Sequence, residues 1–352
     1  MYLIVYYIYT NNFIYKKEWY HIMAKKPLVP VFYAVDDNYA PILFVGIEAI
    51  KAQADPERDY HIIVLIEELK QEYKDLLASV STKNVKVEVY DLSETSKQYA
   101  KQFYNRDYYT NTAWFRLFIP EIFTQFDKIV YLDCDTVVNT DVAELFDVDI
   151  KDYYAAVATC ETCDTFPIFT DYIQKYMGFA MPWYFNSGVL LLNCDLLRKD
   201  HFEAKFFDLI KKHHFELIQD QDSMNVLFRG KCKFLPQTWN KIPLPKPGID
   251  DTNVKIVHYN LIFRPWRYDG IDFVGIKLDK IPFEDIFWKH AKNCPTYEKI
   301  LEDKKNYSDE DRAKDLSMAN NIVEKAIKYS TMPREETWAG LEFTRKIEIK
   351  KD

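Results

Sequence analysis

The sequence predicts an α/β protein, a doubly wound and mostly parallel sheet with a helical C-terminal tail. Three observations carry that prediction. From residue 29 onward, short apolar runs alternate with longer helical stretches, the pattern of strands joined by crossover helices. The runs are apolar and β-branched enough to read as buried strands. The chain has 352 residues and only eight glycines, so it is globular and long enough for one large core.

The elements follow in order. VPVFYAV (29–35) is the first expected strand and PILFVGIEAIKAQA (41–54) the first helix. YHIIVLI (60–66), EELKQEYKDLLASV (67–80) and NVKVEVY (84–90) extend this to βαβαβ. TAWFRLFIPEIF (112–123) carries a mostly helical pattern into a strand ending at Asp133, and right-handed crossovers put all these strands in one sheet. YAAVATC (154–160) and FNSGVLLLN (185–193) read as further strands, with helices over 195–215 and 220–229. The stretch 161–184 has few regular signals and reads as a loop or lid over the sheet edge. Most of its aromatics, Phe166, Phe169, Tyr172, Tyr176, Trp183 and Tyr184, are expected to pack. From Phe283 the pattern is helical and charged.

The expected organisation is therefore a catalytic unit over 29–266 and an appended helical region over 267–352. Residues 1–22 read as a non-native or disordered N-terminal extension, with Met23 the expected start and an interfacial anchor the alternative. Their apolar run breaks at Asn11 and Asn12, too short to span a bilayer, and it lacks the basic start and cleavage site of a signal peptide.

A formal net charge of −8 argues against a general nucleic-acid binder, which needs a basic footprint. The six cysteines are scattered, which suits reduced thiols in a cytoplasm. Cys160 and Cys163 form a C-x-x-C with no second pair, so neither a metal nor a redox site is expected there.

IVYLDCDTVV (129–138) is the stretch that carries chemistry. A buried strand ends by placing Asp133 and Asp135 either side of a cysteine. Strand residues two apart share a face, so two like charges are pushed together. A hard divalent cation relieves that repulsion; the alternative is a pair of solvated turn acids. Three later clusters add to it: Phe185-Asn186-Ser187-Gly188, whose small residues allow close approach to the backbone; Gln219-Asp220-Gln221-Asp222 at a helix start; and IVHYNLIFRPW (256–266), where His258 sits at an expected strand end. A lone histidine is most often structural, but it is also the natural imidazole partner of two carboxylates.

With VFYAVDDNYA (31–40), these clusters come in an order that resembles glycosyltransferase family 8, the retaining enzymes that include lipopolysaccharide galactosyl- and glucosyltransferases and glycogenin. The resemblance covers roughly residues 29–266 and implies a GT-A type nucleotide-sugar transferase fold. It implies that Asp133, Asp135 and His258 hold manganese, with magnesium the second choice, and that the ion holds the diphosphate of a UDP-sugar. Ala34, Asp36, Asn38 and Tyr39 would receive uracil and ribose. Arg116, Asn186, Asp220 and Gln221 would surround the donor sugar, with Gln221 on the reactive face as weak nucleophile or cation stabiliser. The implied reaction moves glucose or galactose to a saccharide or glycolipid acceptor in bacterial cell-surface glycan synthesis. It would run in the cytoplasm, at the inner membrane face if the protein makes peripheral contact there.

The chain departs from the family's H-x-x-G-x-x-K-P-W pattern at Leu261 and Arg264. Arginine keeps the charge expected near the leaving phosphate, but its donors lie in a planar fork. Two rival readings remain. Asp133-Cys-Asp135-Thr136-Val137 also fits the nucleophile motif of haloacid-dehalogenase-like phosphohydrolases, with Asp133 attacking phosphorus, although that motif normally lies on a first strand. Turnover of an aryl phosphate with magnesium discriminates it. A non-catalytic sugar-nucleotide binder is the other, and donor hydrolysis separates it from an enzyme. Because all the chemistry precedes Trp266, the tail from about 283 is expected to be dispensable for donor hydrolysis but to influence acceptor or membrane-surface access.

Overall fold

A computed structural model describes residues 28–99, 111–244 and 251–342. The extension over 1–22 lies outside the described residues. Strands β1 (Leu28–Ala34), β2 (Asp59–Ile66) and β3 (Val85–Asp91) pair in parallel, and β4 (Lys128–Leu132) joins β1 on its other side. β7 (Val189–Asn193) runs antiparallel between β4 and β6 (Ala155–Val157), and β8 (Cys232–Phe234) closes the order β3-β2-β1-β4-β7-β6-β8. The mostly parallel sheet is thus as expected, with β7 as its one reversed strand among the described residues.

This order positions the site. The chain winds outward from β1 through β2 to β3, then returns to place β4 against β1. The winding reverses between β1 and β4, and in open α/β sheets ligands bind at the carboxyl ends flanking such a reversal. Pro30 is tolerated inside β1 for a readable reason. Val35 N–H faces β2, donating to Leu65 O, so by alternation the Pro30 nitrogen faces β4. The β1–β4 register begins only at Val31.

The helix Ala40–Gln53, buried along most of its length, packs under the sheet. A Cβ on Gly46 would come within 3.1 Å of Thr136 O, so glycine lets this helix press close to β5 (Thr136–Val138). β5 forms a second, two-stranded antiparallel ladder with β9 (Ile256–His258), in the register Thr136↔His258.

Several expectations need correction. The acids of the D-x-D do not share a strand face: β4 ends at Leu132, and Asp133-Cys134-Asp135 form the turn into β5. The long strands expected at 154–160 and 185–193 shrink to β6 and β7. The pattern at 112–123 becomes a 3-10 turn, Asn111–Leu117, plus the short helix Ile119–Ile122, which Pro120 starts. The helix expected over 195–215 breaks at His201, whose φ is 53°. The lid candidate is not a lid. Its helical turns Glu161–Thr165, Pro167–Asp171 and Tyr172–Tyr176 are packed into the core, where Phe166, Phe169, Tyr172, Tyr176 and Tyr184 are buried. Only Trp183 of those six aromatics is well exposed, at 60%.

The C-terminal helices Glu284–Ala291 and Tyr297–Asn306 pack on Ala40–Gln53, and the long helix Asp309–Ser330 packs on the turns at 167–176. Phe287, Ala291, Ile300, Ile322 and Ala326 belong to the main core cluster. Among the described residues, no helix is long and apolar enough to cross a membrane.

Candidate active site

The carboxyl ends of β1 and β4 open into one cleft. Ala34, Asp36 and Tyr39 line it from β1, Asp133 and Asp135 from the turn after β4, and Arg116, Asn186, Asp220, Gln221, His258 and Arg264 from other elements. Of the residues expected at the site, Asn38 is the exception. It is exposed, and its N–H, like that of Tyr39, donates to Asp36 Oδ1, so this turn is held by Asp36.

Cys134 explains the shape of the D-x-D turn. Its Sγ donates to Ala34 O at 3.0 Å, tying the turn to the end of β1, while Asp133 N–H donates to Gly188 O and Tyr259 N–H to Asp135 O. The two acids are thereby turned toward β9. Asp135 Oδ1 lies 3.1 Å from His258 Nε2 and Asp133 Oδ2 lies 3.8 Å from it. One ligand atom from each of the three lies within 4.8 Å of the others. Gly188 makes room: a Cβ there would sit 2.2 Å from His258 Cε1 and 2.6 Å from Asp133 Oδ2.

Burial opposes charging the His258 ring, but Asp135 and then Asp133 outweigh it and hold its pKa above the ordinary value. Burial likewise opposes ionising Asp135, and the neighbouring His258 and Arg264 overcome it and hold its pKa low. Both groups are stabilised by a partner of opposite sign.

Behind the triad, Arg116 is a hub. Its Nη2 donates to Asp133 Oδ1 at 2.8 Å, its Nη1 to Ser187 O at 2.6 Å, and its Nε lies 3.3 Å from Asp220 Oδ2. The guanidinium also stacks over the Tyr131 ring, whose hydroxyl donates to Asp133. Burial pushes the Asp220 pKa up, Arg116 pulls it down, and the net is upward. Gln219 starts the next helix at φ 25°, and Asp220 and Gln221 follow it into the cleft wall. Gln221 is held at both ends of its amide: Oε1 accepts from Ser187 N–H at 3.0 Å, and Nε2 donates to Tyr184 Oη at 3.2 Å. Asp222 points the other way, accepting from Tyr172 and Tyr184, and burial pushes its pKa up to about 6.

Sequence reasoning missed Tyr131 and Asn240, and it singled out Ser187 without its backbone bonds to Arg116 and Gln221. Tyr131 was findable, since it lies two residues before Asp133. Asn240 lies 18 residues before His258 and reaches it only through the fold. The C-x-x-C pair also lines the cleft, with its sulfurs 2.9 Å apart and both thiols free.

The donor set fits a divalent ion. Two carboxylates and an imidazole converge, a glycine is cleared beside them, and the cleft holds four acids, Asp36, Asp133, Asp135 and Asp220, against two guanidiniums, Arg116 and Arg264.

Comparison with known proteins gives the family and the fold. A lipopolysaccharide 1,2-glucosyltransferase of Escherichia coli is 26% identical over 292 residues, covering 74% of this chain and 81% of the relative. The galactosyltransferase LgtC, solved in complex with donor and acceptor sugar analogs, aligns with a TM-score of 0.58 at 24% identity, over 76% of this chain and 96% of its own. The bifunctional glycosyltransferase WbbM aligns with a TM-score of 0.67 at 24% identity, over 80% of this chain and 53% of its own. These two likenesses show the GT-A type fold. The family model for glycosyl transferase family 8 matches residues 30–270, the span that holds every cleft residue described above except Ile322. A chain with this sheet, this cleft and this match belongs to glycosyl transferase family 8.

Proposed function

We propose that the protein is a metal-dependent, retaining glycosyltransferase that moves a hexose, glucose or galactose, from a UDP-sugar to a saccharide or glycolipid acceptor in bacterial cell-surface glycan synthesis. The observation that carries the reading is the convergence of Asp133, Asp135 and His258 on the cleft that Gln221 and Asp220 line. When bound, a divalent ion, manganese before magnesium, supplies the Lewis-acid charge that stabilises a leaving diphosphate.

The chain's own residues do the rest. Asp36 and Tyr39 line the β1 side of the cleft, where an aromatic face and a carboxylate suit a uracil and its ribose. Arg264 lies over the Tyr39 ring at 5.8 Å and adds a fixed positive charge on the phosphate side. Arg116 holds Asp133 and Asp220 in place. Asn186 and Asp220, which line the cleft, would bond sugar hydroxyls. The sugar passes through an oxocarbenium-like state, and the tethered Gln221 amide keeps an oxygen lone pair to steady it. The lipopolysaccharide glucosyltransferase relative supports a glycan acceptor. The family match leaves the phosphohydrolase alternative without support, and the intact triad speaks against a non-catalytic binder.

The test is donor hydrolysis across a panel of nucleotide sugars with manganese. UDP-glucose or UDP-galactose should be consumed, with release of the sugar in the donor's anomeric configuration. Consumption of only a guanine or cytidine nucleotide sugar would overturn the donor assignment, and turnover of an aryl phosphate would revive the phosphohydrolase.

A further inference from the structure

Asn240 is buried, lines no part of the cleft and yet touches the triad: its Oδ1 lies 3.0 Å from His258 Nδ1. A run of hydrogen bonds sets the polarity of that contact. Gly188 N–H can only donate, and it donates to Asn186 Oδ1 at 2.9 Å, which fixes that atom as the oxygen. Asn240 therefore presents its Nδ2 to Asn186 Oδ1, at 2.8 Å, and its own oxygen to His258. An amide oxygen can only accept, so His258 Nδ1 carries a proton. In the neutral ring, Nε2 then keeps its lone pair, and Nε2 is the atom that faces Asp135 and Asp133.

The geometry points to Asn240 as the positioning residue that fixes His258 in its metal-ligating tautomer, through the relay Gly188–Asn186–Asn240–His258. The backbone supports this. Lys241 N–H donates to Ile256 O and His258 N–H donates to Lys241 O, so the residue after Asn240 is laddered to β9 itself. Asn240 and the histidine it orients are thus held in one register. Outer partners of metal-bound histidines typically set ring orientation and ligand basicity, and their loss costs about 10–100-fold in metal affinity. Asn186 gains a second role, as the anchor of the relay as well as a cleft residue.

This inference rests on the metal reading above, so its test includes a measurement that does not. The proton on His258 Nδ1 is read by long-range nitrogen–proton NMR correlation on the metal-free full chain. Wild type should show a proton on Nδ1 that is protected from exchange with water, and Asn240→Ala should lose that protection. Manganese binding with UDP present, followed by calorimetry, should weaken about 10–100-fold in Asn240→Ala. Asn240→Asp, which keeps an acceptor for Nδ1–H, should bind manganese more tightly than Asn240→Ala. Circular dichroism checks that each variant is folded; should Asn240→Ala not fold, the wild-type Nδ1 proton and the Asn240→Asp affinity decide. A wild-type Nδ1 that carries no proton, or equal metal affinity in the two folded variants, would overturn the inference. If the protected Nδ1 proton is found but manganese does not bind, the metal reading fails and the relay stands.

Discussion

At the scale of single residues, the site is a set of close approaches that tolerate little. Gly188 shows it most plainly, because a Cβ there would overlap both His258 and Asp133. Gly188→Ala is expected to lose manganese-dependent UDP binding while the fold persists, as circular dichroism and calorimetry would show; unchanged binding would mean the triad is looser than described. Asp222 gives a pH signature. Its carboxyl is pushed from the ordinary range up to about 6, chiefly by burial, so between those values the native state holds a proton that the unfolded chain has released. Stability therefore falls as pH rises through that window, by up to about 3 kcal/mol from this group alone. Asp222→Asn should remove that slope. In urea titrations the variant should gain on wild type from about pH 4 to pH 7, and parallel curves would contradict it. The ligand identities were legible in the sequence because D-x-D, N-S-G and D-Q-D are local patterns. Their polarity and partners were not, since Arg116 meets Asp220 and Asn240 meets His258 only across the fold.

Elements decide how those residues meet. β4 and the turn after it deliver the two acids, and the β5–β9 ladder sets His258 across from Thr136, one residue beyond Asp135. Alternation along the chain revealed β1 through β4, since long apolar runs announce themselves. It did not reveal β5 or the pairing of β9, because three-residue strands carry almost no periodic signal. The helical turns at 161–176 were hidden for another reason: Pro167 and the aromatic spacing break the pattern, and tertiary burial makes the turns. A buried ion pair ties them to the site. Lys241 Nζ donates to Glu161 Oε1 at 2.6 Å, both side chains are fully buried, and Glu161 Oε2 accepts from Ile242 N–H. Glu161→Gln removes the carboxylate from a buried ion pair, a change that typically costs about 3–5 kcal/mol. Chemical denaturation measures this, and a loss under about 1 kcal/mol would show that water or rearrangement rescues the lysine.

For the whole molecule, the sheet order puts the cleft where the winding reverses, and the C-terminal helices complete the body around it. Ile322 of the last long helix lines the cleft, and Asp315 of the same helix lies 3.5 Å from Arg264 and bonds Arg267, Tyr268 and Tyr307. The structure therefore gives no support to the expectation that the tail is dispensable, which rested on where motifs lie along the chain and not on what the tail covers. Truncation after Lys280 should expose core surface under Phe287, Ile300 and Ala326 and abolish the cooperative thermal transition; a truncate with an unchanged transition would show a separable tail. The central claim is that Asp133, Asp135 and His258 hold the ion through which the cleft binds a UDP-sugar. The most direct measurement is thermal unfolding with UDP, with and without manganese, on wild type and on Asp135→Ala. With UDP at about 100 times its dissociation constant, wild type should gain roughly 2.7 kcal/mol only when manganese is present, and Asp135→Ala should gain almost nothing. An equal gain without manganese, or an undiminished manganese-dependent gain in folded Asp135→Ala, would contradict it.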